Sequence, residues 1–250
     1  MRGEPTSRRG AWGSDDVHGD EPRAAPTCSP HGPDLRDLVR QRRATDSQFD
    51  EAYPLAVRAA SASFWTPVAV ATRAAELLAR DGAGRIADIG SGAGKFCLVG
   101  AATTQATFVG VEQRSRLVDA ARAAATRLEI ARASFIHGTI EHLDPLAYDG
   151  FYLFNPFEEN LWAPTEQLDS SVELSEARFV ADIVLTERLL ASARPGTRLV
   201  TYHGYGAAPP EEYRHVLRER HHTGYLDLWV KLDGLAPGAF SASVRPTEAS

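Results

Sequence analysis

Arg85-Ile86-Ala87-Asp88-Ile89-Gly90-Ser91-Gly92-Ala93-Gly94-Lys95 is the stretch on which the reading of this 250-residue chain turns. A short apolar strand, Arg85 to Ile89, runs into three glycines at alternate positions, and Lys95 then opens a helical run to Ala102. Without a Cβ, backbone at 90, 92 and 94 can approach a bound group through space that a side chain would fill. A second strand, Thr107 to Val111, comes next, and Glu112 stands at its end, eighteen residues after Gly94. A carboxylate there can accept from both vicinal hydroxyls of a ribose. Loop and carboxylate together predict a site for a nucleoside-containing cofactor.

Outward from this stretch the alternation of period continues. Leu117, Ala121, Ala124 and Leu128 mark a helix, Ser134 to Ile136 a strand, and Tyr148 to Phe154 a longer buried strand ending at Asn155-Pro156. After some twenty loop residues comes an apolar helix with Phe179, Val180, Ile183, Val184, Leu189 and Leu190, closed by Pro195-Gly196, and then a strand from Arg198 to His203. Tyr213 to Glu219 and Tyr225 to Leu232 read as a terminal strand pair. Upstream, helical spacing begins at Asp34, continues around Phe49 to Ala60, and resumes after Thr66-Pro67, read as an N-cap followed by proline at the first helical position, until Asp81 to Gly84 ends it. The expected fold is α/β: a doubly wound, mostly parallel seven-stranded sheet with a C-terminal antiparallel hairpin and an N-terminal helical cover. The expected organisation is a disordered tail over 1–33, the helical cover over 34–82, the cofactor domain over 83–235 and a flexible C-terminus over 236–250. Five prolines and no apolar period in 1–33 carry the first of these assignments.

Asp88 to Gly94 has the form D-x-G-x-G-x-G, and here the sequence resembles the class I S-adenosylmethionine-dependent methyltransferases. The resemblance implies a seven-stranded sheet ending in an antiparallel hairpin. It implies S-adenosyl-L-methionine as cofactor, its methionine end held by Asp88, Gly90, Ser91, Gly92 and Gly94. It further implies a ribose on Glu112 with Gln113 beside it, and an adenine along Thr139 and Ile140, where many members place an aspartate instead of Thr139. Gly90 to Lys95 followed by Gly110-Val111-Glu112 is similar to members acting on protein lysine side chains. Asn155-Pro156-Phe157 resembles the Asn/Asp-Pro-Pro-aromatic turn of amino-methylating members, with one proline missing. It implies that Asn155 orients the acceptor for an in-line displacement, with Pro156 and Phe157 completing the catalytic turn. The plain alternative for this turn is a strand terminator. A nicotinamide-dependent oxidoreductase is the competing enzyme, disfavoured because the third glycine falls one position early for G-x-G-x-x-G. A non-catalytic S-adenosylmethionine-binding protein is the competitor from outside enzymology.

Composition narrows the remaining choices. The chain carries 27 Lys+Arg against 33 Asp+Glu, a net charge of −6, which disfavours a polyanionic partner and makes a nucleic-acid acceptor unexpected. With Glu112, Glu158 and Glu159 near the expected site, a cationic or neutral acceptor is favoured, either a small molecule or a protein side chain. There is no run of 18 apolar residues and no apolar leader segment, so no membrane association is expected. Two cysteines, Cys28 and Cys97, cannot make a disulfide framework, and the cytoplasm is the expected compartment. The eight histidines include His137 and His142, five apart, and the adjacent His221-His222, spacings from which no metal site is expected. Glu158-Glu159, at the head of the long loop, reads as a solvated acid pair or as part of a lid. Phe64-Trp65-Thr66-Pro67 reads as a cover for the cofactor or as ordinary core.

Overall fold

Short strands with apolar residues on both faces can be stable only between two layers of helix, and the centre of the molecule is built that way. The computed structural model describes residues 34–79, 84–221 and 223–233. Strands β1 (Arg85–Ile89), β2 (Thr107–Glu112), β3 (Ala133–His137), β4 (Gly150–Phe154) and β5 (Arg198–Tyr202) pair in parallel, and β6 (Tyr213–His221) and β7 (Gly224–Lys231) form an antiparallel hairpin. The order across the sheet is β3-β2-β1-β4-β5-β7-β6, with β7 antiparallel to β5. Strand order reverses between β1 and β4, so the helices that follow these two strands leave toward opposite faces and open a crevice at the strands' C-terminal ends.

Among the described residues eight α-helices cover the sheet: α1 (Leu35–Arg40), α2 (Asp46–Asp50), α3 (Leu55–Arg58), α4 (Ser61–Phe64), α5 (Val68–Leu78), α6 (Lys95–Thr103), α7 (Ser115–Arg127) and α8 (Glu176–Ser192). Period-two alternation sorts the strands' side chains between two cores. Ile86, Phe108, Tyr152 and Val200 pack with α5, α6, α7 and the N-terminal helices, while Ala87, Val109, Phe151 and Leu199 pack with Leu189 and Leu190 of α8. Phe49 and Tyr53 from the N-terminal helices belong to the first core, so the cover shares its interior with the sheet.

The expected sheet and hairpin are present, with boundaries moved for local reasons. The single helical piece expected over Phe49 to Ala60 is divided between two short helices, α2 and α3, because Pro54 cannot continue the first and starts the second as its N-cap. Thr66 does not cap α5. Its hydroxyl is buried against the Tyr152 phenol at 3.1 Å, Pro67 is the N-cap, and Asp46 accepts from the Val68 N–H at 2.9 Å. Strand β4 begins at Gly150 rather than Tyr148, whose ring lies under the Arg85 guanidinium at 4.9 Å. Strand β5 stops at Tyr202 because His203 takes a left-handed φ of 59°. The expected assignments over 1–33 and 236–250, and most of the helix-ending Asp81 to Gly84 segment, lie outside the described residues.

Lys95, the last residue of the quoted stretch, fastens the cover to the glycine loop. Its side chain is 2% exposed, and its ammonium donates to Asp50 Oδ1 at 2.9 Å and Ser61 Oγ at 3.2 Å and pairs with Asp46 Oδ1 at 2.7 Å. Removing one side of a buried pair leaves the other charge desolvated. Lys95→Ala should therefore lower unfolding stability by roughly 3 kcal/mol in urea denaturation. A loss under about 0.5 kcal/mol, the value of an exposed pair, would contradict the anchoring role.

Candidate active site

At the crevice between β1 and β4 lies a cavity of about 500 Å³, walled by the C-terminal ends of β1, β2, β4 and β5 and by the turns that follow them. Its floor is the glycine loop. Gly90, Gly92 and Gly94 all have positive φ, at 71°, 54° and 77°, a conformation that side-chain-bearing residues adopt at a cost. A Cβ on Gly92 would stand 2.4 Å from the Trp65 ring, and one on Gly94 would stand 2.4 Å from Phe135 beneath the loop. The need for glycine at 94 is thus helix-on-sheet packing rather than ligand clearance, as the sequence reading had it.

Gly90, Gly92, Glu112, Gln113, Thr139 and Ile140 line the cavity, as do Asn155, Pro156 and Phe157. Asp88, Ser91 and Gly94 do not. Asp88 is buried behind the loop with Cys97 Sγ 3.5 Å from its Oδ2, and the Ser91 hydroxyl is buried with no hydrogen-bond partner among the described residues. All three support the loop from its buried side. Thr139 Oγ1 points to Glu141 Oε2 at 3.4 Å, and His142 Nδ1 accepts from the Thr139 N–H at 3.1 Å, giving that histidine a turn-closing task. Among the described residues no group of three or more His, Cys, Asp or Glu is placed to hold a metal ion.

Glu112 carries the electrostatics of the glycine-loop end of the cavity. Its carboxylate accepts from the Gly92 N–H at 3.0 Å and the Arg114 N–H at 2.8 Å, which uses two of its roughly four acceptor positions. Burial raises its pKa, and these bonds with the Arg114 charge oppose the rise. Arg114, 5% exposed, reaches Glu159 at 2.8 Å and Asp169 at 3.1 Å. Although burial works against it, Asp169 is held below the usual carboxylate range by bonds from Ser171, Arg116 and Arg114. The long loop is thereby stapled to the end of β2, so Glu159 belongs to a buried ion network and is not a solvated acid. Glu158 accepts from Asn155 Nδ2.

The other end of the cavity is aromatic. Phe64 and Trp162 meet at 5.5 Å, Trp65 is 7% exposed with Nε1 donating to Val57 O at 3.0 Å, and Phe154, Tyr202 and His203 form the far wall. Trp65 therefore serves both readings of its segment, as core and as cavity wall. The cavity wall also holds Arg114, Tyr202, His203 and the Arg178–Asp182 pair of α8, none of which the sequence marks as site residues, and Trp162 of the long loop, which reads as a lid or substrate wall. The i,i+4 spacing of Arg178 and Asp182 inside an apolar helix was the one local signal available.

Residues 80–157 match the family described as "Methyltransferase domain". The matched stretch holds the glycine loop, Glu112 and the Asn155 turn. The resemblance to the class I S-adenosylmethionine-dependent enzymes, drawn from Asp88 to Gly94, agrees with this domain match and with the seven-stranded topology. Among solved structures, an RNA methyltransferase from Salinibacter ruber in complex with S-adenosyl-L-homocysteine is 23% identical with a TM-score of 0.50, over 69% of this chain and 96% of that one. TrmN from Thermus thermophilus is 17% identical with a TM-score of 0.51, over 70% of this chain and 52% of that one. At these identities the likeness is one of fold. No curated protein matches the chain. S-adenosylmethionine, the cofactor of this class, fits the cavity through the acceptor positions left on Glu112 and the side-chain-free edge of the glycine loop.

Burial pushes the Asp88 carboxyl from 3.8 up to about 7, with the Glu112 charge adding to the rise and the Cys97 bond opposing it. A carboxyl whose folded pKa is raised binds its proton more tightly in the folded state, so its stabilising contribution is full at low pH and is lost as pH rises through about 7. Wild type should lose on the order of 3 kcal/mol more stability than Asp88→Asn between pH 5 and 8. Denaturant midpoints of the two proteins across that range check it. Parallel curves would mean that Asp88 titrates as an ordinary carboxyl.

Proposed function

We propose that the protein moves the methyl group of S-adenosylmethionine to an N–H or O–H acceptor bound in the aromatic part of the cavity. The observation that carries this is a single cavity bordered at one end by Glu112 and the glycine loop and at the other by Asn155-Pro156-Phe157. The cofactor, when bound, supplies a methyl group already activated on a sulfonium. What the chain must add is alignment and exclusion of water.

Glu112 would hold the ribose hydroxyls, Gln113, Thr139 and Ile140 the adenine, and Gly90 and Gly92 the methionine end, with Asp88, Ser91 and Gly94 supporting the loop from behind. Glu158 commits the Asn155 amide nitrogen and so leaves Oδ1 to accept from the incoming N–H or O–H. Pro156 and Phe157 fix the turn that presents it, and Phe64, Trp65 and Trp162 keep the methyl path dry. Residues 83–235 would form the cofactor domain and 34–82 its cover, in a cytoplasmic protein. The net charge of −6 does not by itself decide against nucleic acid, since the fold relative from Salinibacter ruber is an RNA methyltransferase. A protein side chain or a small molecule is the acceptor class we favour.

Calorimetric titration should give binding of S-adenosyl-L-homocysteine and none of NAD, and labelled cofactor with size-fractionated cell extract should identify the acceptor fraction. Glu112→Gln should weaken S-adenosyl-L-homocysteine binding by roughly 10- to 100-fold, the value of one or two hydrogen bonds to a charged acceptor. Asn155 has φ 41°, so Asn155→Gly removes the amide without straining the backbone. It should leave cofactor affinity within about 3-fold and lower label transfer by about 100-fold or more. Binding of S-adenosylmethionine with no label transfer to any fraction would favour the non-catalytic reading.

A further inference from the structure

Among the described residues four that are not glycine have positive φ, and two of them, Asn155 and His203, stand at the C-terminal ends of the neighbouring strands β4 and β5. Both line the cavity, and a backbone bond from Asn155 N to Gly204 O at 3.0 Å ties the two turns together. Left-handed backbone on residues with a Cβ costs free energy and tends to persist where it aims a side chain at a ligand. Asn155 already has a task in the proposed reaction. His203 has none, and its imidazole makes no hydrogen bond among the described residues.

The ring is nevertheless held in place. It lies 4.4 Å from Tyr202 and 5.8 Å from Phe154, between centroids, and rests over Gly224 of β7, where a Cβ would stand 2.4 Å from Nε2 and 2.5 Å from Cε1. Nδ1 is not among the ring atoms nearest Gly224, which leaves it as the nitrogen further from that strand. The residue as a whole is exposed at the cavity mouth, so a proton taken there can pass to solvent. Among the described residues, titratable groups on the elements around it include Glu158 and Tyr202, which line the same cavity, Tyr225, whose carbonyl accepts from the His203 N–H at 3.4 Å, and His221, whose carbonyl accepts from the Tyr202 hydroxyl at 3.2 Å. Glu158 is engaged by Asn155, and the His221 ring by Glu219 at 3.1 Å. His203 is therefore the uncommitted base of this group.

We propose that His203 is the catalytic base that receives the acceptor's proton. This rests on the methyl-transfer reading. The acceptor lone pair forms the new bond to the methyl carbon, the carbon–sulfur bond breaks with its electron pair kept by sulfur, and the acceptor N–H or O–H proton moves to His203 Nδ1 and from there to water. Asn155 Oδ1 aims the attacking atom, and His203 prevents charge from accumulating on it.

The test compares full-length wild type, His203→Gln and Gly224→Ala, using S-adenosyl-L-homocysteine for binding and labelled S-adenosylmethionine with the extract fraction that wild type labels. His203→Gln should keep cofactor affinity within about 3-fold while transfer at pH 7.5 falls by roughly 10²- to 10⁴-fold. It should also flatten the pH dependence of transfer that wild type shows, and recover part of its rate with added imidazole. Gly224→Ala, which displaces the ring and leaves the histidine, should lower transfer with the same retention of binding. Retained binding with unchanged transfer and an unchanged pH profile in His203→Gln would overturn the role of His203 alone. Failure of wild type to bind S-adenosyl-L-homocysteine would overturn the methyl-transfer reading and this inference with it.

Discussion

The passage of bare backbone between Trp65 and Phe135 is the constraint on which the rest of the structure depends. From Gly90 to Gly94 the chain must turn from β1 into α6 with three left-handed residues, aromatic rings standing where Cβ atoms at 92 and 94 would be. Such a loop holds its shape only if both rings stay in position. Phe135 is fixed by the sheet, as part of β3, but Trp65 belongs to the N-terminal cover, and Lys95 secures that cover through Asp46, Asp50 and Ser61. The residue that ends the glycine stretch thus also holds down the element that closes it from above. A charge buried to 2% exposure between two carboxylates is costly to misplace, and this favours one seating of the cover over others.

The fold was legible in the sequence because its signals are local. Each strand announced itself by a short apolar run and each long helix by its 3.6-residue period, and the terminal hairpin by a change of style after Pro195-Gly196. The errors fell where a partner distant in sequence decided the outcome. Thr66 has the right identity and position for a cap, but Tyr152, 86 residues away in the chain, takes its hydroxyl, and Asp46 does the capping. Nothing within a ten-residue window carries that information. Strand β5 ended one residue early because the strain at His203 is a property of the assembled cavity wall.

The same division holds in the site. The glycines, Glu112 and Asn155 could be found because strand-loop-helix order places them at strand ends, where an open α/β sheet binds its ligands. Arg114 could not be found that way, since its meaning comes from Glu159 and Asp169, 45 and 55 residues further on. Asp88 was found for a contact that the geometry does not give it. Its carboxyl lies behind the loop against Cys97, where burial keeps its proton on to about pH 7. A lone cysteine inside an apolar helix gave no sign of that partnership.

Net charge is the property whose meaning the structure alters most. An excess of carboxylates near a site attracts cations only while those carboxylates are free, and here Glu159 and Asp169 are neutralised by Arg114 and Arg116 and Asp182 by Arg178, while Glu158 is hydrogen-bonded to Asn155. Ion pairs this close present little field beyond a Debye length, about 8 Å at physiological salt. The three arginines therefore offset three of the four loop-side carboxylates and leave Glu158 as the net charge there, and under the proposed reaction discrimination among acceptors would come from the shape of the aromatic wall and from Asn155 Oδ1 and the His203 imidazole. A site of that kind selects an acceptor by fit and by where its proton points, so the acidic composition of the chain governs the approach of a partner more than the choice among partners that have entered.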